Sequence, residues 1–161
     1  MIKHTFLALC LIAAPAALTA CNPKPKTMTY VDPQKDALIE ARDKARETLP
    51  KFWEMLDNPP AGTSNYSVKV AFPTTDNSLE HIWMDKISRT DGRMTAVIAN
   101  EPYAVADLKI GDRVSFVEDD ISDWQYMKDE KLYGHYTTRT MFDTMNAEQK
   151  RQVKALLSEE P

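Results

Sequence analysis

The spacing of apolar residues changes along the chain from a helical period to a strand period and back. Early in the chain, apolar residues recur at the spacing of one helix face: Ala37, Leu38, Ala41, Ala45 and Leu49. Asp32 followed by Pro33 is typical of a helix start, and Pro50 predicts the end of this helix or a kink in it. A further helical turn or two is predicted over residues 52–56, which are mostly apolar.

Between residues 66 and 136, apolar residues alternate with polar ones, which is the pattern of half-buried strands. Asp91-Gly92 predicts a hairpin, and Asn146 with Gln149 predicts a capped C-terminal helix. The predicted strands cover residues 66–72, 79–88, 94–100, 113–117, 124–127 and 132–136. This order predicts an α+β fold, with an antiparallel sheet of about five or six strands and an N-terminal and a C-terminal helix packed on it.

Residues 1–20 have the pattern of a secretory signal, with Lys3 near the start and an apolar run that is too short to span a membrane. The run ends in Leu-Thr-Ala before Cys21, which resembles a bacterial lipoprotein box. In that class of protein the cysteine is lipid-modified and becomes the new N-terminus. An internal helix ending by chance in these letters, or an ordinary signal peptide with a free cysteine, are the alternatives.

The lipoprotein interpretation sets the expected domain organisation and location. Residues 1–20 are then the signal peptide, residues 21–31 a polar, proline-containing tether, and residues 32–161 a single domain. Cys21 anchors the protein to the membrane through its lipid, on the periplasmic side of the cell envelope. Asn22 follows the cysteine, which by resemblance to lipoprotein sorting favours the outer membrane.

Composition narrows the classes of function. The 161 residues include 20 Lys and Arg against 24 Asp and Glu, a formal net charge of −4. Nucleic-acid binding needs basic surface, so we predict no nucleic-acid partner. Only four glycines are present, and none of them forms a glycine-rich phosphate loop. We predict no cofactor.

Metal-ligand patterns are weak. After processing at Cys21 the chain keeps His81 and His135 but no free cysteine, and it has no H-E-x-x-H or C-x-x-C spacing. The acidic residues 118–120 and Asp123 lack the spacing of a calcium loop and are better explained as a solvated acidic loop. We therefore predict no metal site.

The second predicted strand carries the first candidate site. Alternation places His81, Trp83 and Asp85 on one face of this strand. Two ionisable groups on either side of a tryptophan could line a cleft, and a nearby aspartate could orient the histidine for acid–base chemistry. The simpler interpretation is a Trp83 that faces the core between hydrogen-bonded neighbours.

A second candidate site lies farther along the chain. It comprises Asp123, Trp124, Tyr126, Tyr136 and Arg139, with His135 beside them. Aromatic residues with arginine are frequent at binding hot spots. The same residues could instead fill the core of a small sheet, and Asp123 with Arg139 could be a structural ion pair.

Several segments together resemble the YegJ-like family of bacterial proteins. They are Glu80-His81-Ile82-Trp83, Asn100-Glu101-Pro102, the turn at Gly111, Ile121-Ser122-Asp123-Trp124 with Tyr126, and Gly134 followed by Tyr136-Thr137. The resemblance covers roughly residues 33–146. It implies a small secreted or lipid-anchored α+β domain of unknown function and supplies no catalytic residues.

Two functions follow from these features. The first is a lipid-anchored binding or accessory protein of the bacterial envelope, whose partner is a basic envelope protein or a cell-wall component. Its candidate binding surface is His81, Trp83, Asp85, Asp123, Trp124, Tyr126, Tyr136 and Arg139. The alternative is a hydrolase that acts on envelope material through His81 with Asp85 or Asp123. We favour binding over catalysis.

Overall fold

The computed structural model describes residues 33–90 and 92–161. Their helices and strands, in chain order, are α1 Pro33–Glu47, α2 Leu49–Asp57, β1 Thr63–Pro73, β2 Leu79–Thr90, β3 Arg93–Ile98, β4 Arg113–Phe116, β5 Ile121–Lys128, β6 Lys131–Gly134, α3 Tyr136–Thr140 and α4 Ala147–Leu156. The predicted signal peptide over residues 1–20, Cys21 and the tether over residues 21–31 lie outside the described residues.

The six strands form one antiparallel sheet in the order β4-β3-β2-β1-β5-β6. Helices precede and follow the strands along the chain, so the predicted α+β fold is confirmed. The predicted capping box of the C-terminal helix is also confirmed, because Asn146 and Gln149 bond to each other's backbone N–H.

The core lies on the face of the sheet that packs against α1 and α2. Trp124 of β5 is fully buried there, and its indole Nε1 donates to the Ala45 carbonyl of α1 at 2.9 Å. The ring of Phe52 in α2 lies 5.5 Å from that of Trp124. Buried residues of the strands complete the core: Val68, Val70, Ile82, Met84, Met94, Ala96, Ile98, Phe116, Ile121 and Tyr126.

Most predicted strands differ from the observed ones by one to three residues at an end, and two further boundaries change the path of the chain. The first helix ends before Pro50, which instead lies in the first turn of α2, where its missing N–H costs no hydrogen bond. The last predicted strand reaches Tyr136, whereas β6 ends at Gly134. Gly134 and His135 both have positive φ, at 78° and 55°, which turns the chain out of the sheet and into α3.

The pairing of β1 with β5 contains an irregularity that positions the candidate site. Lys69 pairs with Asp123, but the next residue, Val70, pairs with Ile121. Ser122 is therefore an extra residue opposite Lys69, as in a β-bulge. A bulge interrupts strict alternation, so Ser122 and Asp123 both bond to groups on the side of the sheet away from α2.

Candidate binding face of the sheet

The side of the sheet opposite the core is partly exposed at most of its positions and is called the open face. Cross-strand pairs such as Lys69 with Trp83 and Ala71 with His81 show which side chains share it. It is formed by Lys69, Ala71, Leu79, His81, Trp83, Asp85, Val97, Arg113 and Gln125. Solvent reaches this face, in contrast to the buried residues that alternate with it along the same strands.

Trp83 lies at the centre of the open face, between a cation and an imidazole. The ammonium of Lys69 lies 4.7 Å from the centre of the Trp83 ring, a favourable cation–π distance. The His135 ring lies 4.9 Å from the Trp83 ring at an interplanar angle of 52°. A partly exposed tryptophan held between two such groups is a rigid apolar platform with polar neighbours.

Lys69 is connected to Asp123 through a hydroxyl group. Lys69 Nζ donates to Thr137 Oγ1 at 2.8 Å, and Thr137 Oγ1 donates its own proton to Asp123 Oδ2 at 2.6 Å. Burial lowers the pKa of Lys69, and the negative charge of Asp123 opposes this effect. The Thr137 hydroxyl therefore holds the Lys69 ammonium over Trp83, although Lys69 and Asp123 do not form a direct ion pair.

Asp123 is a fully buried carboxylate that accepts four hydrogen bonds. Its Oδ1 accepts the N–H groups of Trp124 at 2.9 Å and Tyr136 at 3.1 Å. Its Oδ2 accepts the N–H of Thr137 at 2.9 Å in addition to the Thr137 hydroxyl. Asp123 thus fixes the start of α3 to β5, and its oxygens are occupied by protein donors.

His81 is bonded to the bulged residue Ser122. The Ser122 hydroxyl donates to the Lys69 carbonyl at 3.1 Å, so His81 Nδ1 donates to Ser122 Oγ at 2.8 Å. Nε2 of the neutral His81 ring then carries the free lone pair. Neither Asp85 nor Asp123 is the hydrogen-bond partner of this histidine.

Both histidines near Trp83 are neutral at physiological pH. Burial, followed by the positive charges of Arg42, Lys69 and Arg46, lowers the pKa of His81 to about 4. Burial also lowers the pKa of His135 to about 4, helped by Lys69 and Arg139 and opposed by Asp123. Burial is the larger cause for both rings, and the nearby positive charges act in the same direction.

The lowered pKa values predict that the protein loses stability in mildly acidic solution. The unfolded chain binds protons at its histidines near pH 6.5, whereas the folded protein does so only near pH 4. Stability is therefore highest above pH 6.5 and falls as the pH decreases towards 4. We expect a loss of about 1 kcal/mol per histidine, because both rings are partly exposed and water weakens the effect.

Urea unfolding between pH 7 and pH 4.5 measures this loss. His81→Asn and His135→Asn are the comparison variants, because an asparagine amide can donate as Nδ1 does and asparagine tolerates positive φ. The double variant should show a flatter decline with pH than the unaltered protein. An identical decline would show that these histidines do not titrate differently in the folded state.

The eight residues predicted as a binding surface divide into three groups. His81, Trp83 and Asp85 share the open face, and the buried Asp123 supports it from below. The core contains Trp124, Tyr126 and Tyr136, which are at most 8% exposed and so present no surface to a partner.

Arg139 forms the third group. Its guanidinium donates to the carbonyls of Gly134 at 3.0 Å and Ser158 at 3.1 Å, which ties α3 to the C-terminal segment. Among the described residues no ion pair joins Arg139 to Asp123.

Several residues of the site were not identified from the sequence. They are Lys69, Ser122, Thr137 and Arg42. Lys69 carried a usable signal, because it is the single charged residue in an otherwise apolar and small-residue strand over residues 66–72. Ser122 and Thr137 become part of the site only through the bulge and the turn at Gly134, which the alternation does not reveal, and Arg42 lies on α1, far from them in the chain.

The described part of the chain lacks a metal-binding cluster and a membrane-spanning helix. No group of three or more His, Cys, Asp or Glu side chains in residues 33–90 and 92–161 is arranged to hold a metal ion. Over the same residues, the helices lack the length and apolar character needed to cross a membrane.

Comparisons with known proteins place relatives in bacteria. A family described as "Uncharacterized protein conserved in bacteria (DUF2314)" matches residues 35–157. The chain is 32% identical over 124 residues to "Uncharacterized protein YegJ" of Escherichia coli, covering 76% of this chain and 78% of that protein. The resemblance to the YegJ-like family is thereby confirmed.

A further relative is the "Putative ankyrin repeat protein NMB1133/NMB1171" of Neisseria meningitidis. It is 29% identical over 128 residues, which cover 75% of this chain and 51% of that protein. No solved structure matches the chain significantly.

Proposed function

We propose that this chain, which belongs to the DUF2314 family of bacterial proteins, is a lipid-anchored binding protein of the cell envelope. In this proposal Cys21 carries the lipid and the domain lies on the periplasmic side, at the outer membrane. The ligand is a protein or a cell-wall component of the envelope, and it binds on the open face.

The position of Trp83 is the observation that carries the proposal. The Trp83 ring is large, lies on a solvent-accessible sheet face and is fixed between Lys69 and His135. Its side chain is therefore already ordered, and a ligand that binds to it does not pay the entropy cost of ordering it. The buried network of Asp123 holds these neighbours in place from below. Preorganised aromatic residues beside charged groups are typical of binding hot spots.

The contacts favour binding over hydrolysis. Asp123 is buried and bonded to four donors, so it lacks a free oxygen with which to take a proton from a substrate. Ser122, the residue hydrogen-bonded to His81, is fully buried and cannot reach a substrate as a nucleophile. A histidine oriented by a structural serine can still contact a ligand through Nε2.

The variant Trp83→Ala tests this proposal. We expect it to lose the retention of envelope material without losing its fold, because most of the core lies on the other face of the sheet. The measurement uses residues 22–161, immobilised through an N-terminal tag in place of the lipid and exposed to envelope extract. Removal of a hot-spot tryptophan should weaken retention by about 2 kcal/mol or more, roughly thirtyfold.

Tyr103→Ala is the matched control, because Tyr103 is an aromatic residue that is 98% exposed, and its backbone N–H bonds to Glu80, which alternates to the other side of the sheet from His81. It should retain the same material as the unaltered protein. Circular dichroism confirms that each variant is folded. Equal retention by Trp83→Ala and the unaltered protein would disprove the open face as the binding surface.

A further inference from the structure

Positive charge collects beside the open face, where no carboxylate among the described residues forms an ion pair with Arg42 or Lys69. Arg42 of α1 forms no hydrogen bond or ion pair with any described residue, and its Nε is buried without an acceptor. A buried donor without an acceptor destabilises a fold, so its retention calls for an explanation.

Arg42 lies one helical turn before Arg46, whose guanidinium bonds to the Ile121 carbonyl just before Ser122, the hydrogen-bond partner of His81. In line with this position, the positive charge of Arg42 adds to the larger effect of burial in lowering the pKa values of Lys69 and His81. Arg46, one turn farther along α1, uses its guanidinium on the carbonyls of Ile121 and Asp119. Arg42 therefore keeps unused guanidinium donors beside Lys69 and His81.

Asp123 does not neutralise this group. Its four hydrogen bonds come from the backbone of Trp124, Tyr136 and Thr137 and from the Thr137 hydroxyl. Lys69 reaches it only through that hydroxyl and keeps ammonium protons free for another acceptor. The protein as a whole is acidic, with a net charge of −4, so the positive charge of Arg42 and Lys69 contrasts with that of the rest of the chain.

We propose that Arg42, Lys69 and His81 bind an oxyanion, the carboxylate or phosphate of a ligand whose apolar part rests on Trp83. The inference rests on the proposed binding function and names the chemistry of its ligand. Arg42 supplies planar donors that suit both oxyanions, and Lys69 supplies a point charge. His81 becomes a donor at Nε2 when the arriving negative charge favours its protonation.

A titration with simple anions tests this inference on the full chain in a neutral detergent. Acetate and inorganic phosphate are added separately while chloride salts keep the ionic strength constant. The signals of Arg42 Nε–H and of the His81 ring are followed by NMR spectroscopy. We expect saturable shifts with at least one anion, and a response to one anion alone identifies the ligand as a carboxylate or a phosphate.

Arg42→Gln should weaken anion binding by about tenfold or more, because a hydrogen bond to a charged group contributes about 1.5 to 3 kcal/mol. Lys69→Gln should weaken it similarly. Arg151→Gln removes an exposed positive charge from α4 and should change nothing. Glutamine has a high helix propensity, so Arg42→Gln should fold. Arg151→Gln changes the net charge by the same amount, so unchanged anion binding in that variant shows that the effect of Arg42→Gln is local.

Two results would overturn the inference: no saturable shift with either anion, or equal affinity in Arg42→Gln and the unaltered protein. Neither result depends on the retention of envelope material by Trp83. If Trp83→Ala loses retention of envelope material but the unaltered protein binds neither anion, the proposed binding function stands and only the oxyanion chemistry of its ligand is disproved.

Discussion

Gly134→Ala is expected to lower the free energy of unfolding by about 4 kcal/mol, the sum of a steric and a conformational cost. A Cβ at this position would lie 2.1 Å from the Trp124 carbonyl oxygen and 2.6 Å from its ring. The Trp124 carbonyl cannot move away, because it accepts the His135 N–H at 2.9 Å. The φ of 78° adds a second penalty for any residue with a side chain.

Gly92→Ala is the control for the second penalty alone. Gly92 has a similar φ of 75°, but nothing lies within 4 Å of the Cβ that alanine would add. We expect it to cost only about 1 to 2 kcal/mol. Urea unfolding of both variants measures the difference, and equal effects of the two substitutions would contradict the close approach of Gly134 to Trp124.

Asp123→Ala is expected to destabilise the protein by about 4 kcal/mol, because several buried donors lose their acceptor at once. The N–H groups of Tyr136 and Thr137 at the start of α3 would be left without an acceptor. Lys69 would lose the one nearby negative charge that raises its pKa. Docking of α3 and the position of the Lys69 ammonium over Trp83 both depend on this carboxylate.

Asp119→Ala is the matched control for Asp123. Asp119 is exposed, and only its backbone carbonyl takes part in a described hydrogen bond, so its side chain should contribute less than about 0.5 kcal/mol. Chemical unfolding at pH 7.5 compares the two variants. A loss below about 1 kcal/mol for Asp123→Ala would show that its four hydrogen bonds are not required by the fold.

The sequence predicts the sheet well because its strands have one buried and one exposed face. The alternation around Val68 and Ile82 reports burial directly, and it correctly places His81, Trp83 and Asp85 together. The sequence predicts the end of β6 two residues too late, because aromatic residues continue to Tyr136 while the backbone leaves the sheet at Gly134.

The contacts that form the site depend on positions far apart in the chain. The Lys69 side chain meets Thr137 only because β1 pairs with β5 and α3 begins just after β6. The extra residue Ser122 in the bulge brings a serine under His81, which no local pattern indicates. The aromatic residues Trp124 and Tyr126 looked equally suited to a surface and a core, since periodicity alone does not say which face is covered.

Photo-crosslinking in the producing bacterium tests most directly whether the open face is the binding surface. A photoreactive residue replaces Leu79, which is 57% exposed on the open face, or Tyr103, which is 98% exposed outside it. We expect a discrete crosslinked product from position 79 that disappears when Trp83→Ala is added, and no product from position 103. The same product from both positions, or a product from position 103 alone, would contradict it.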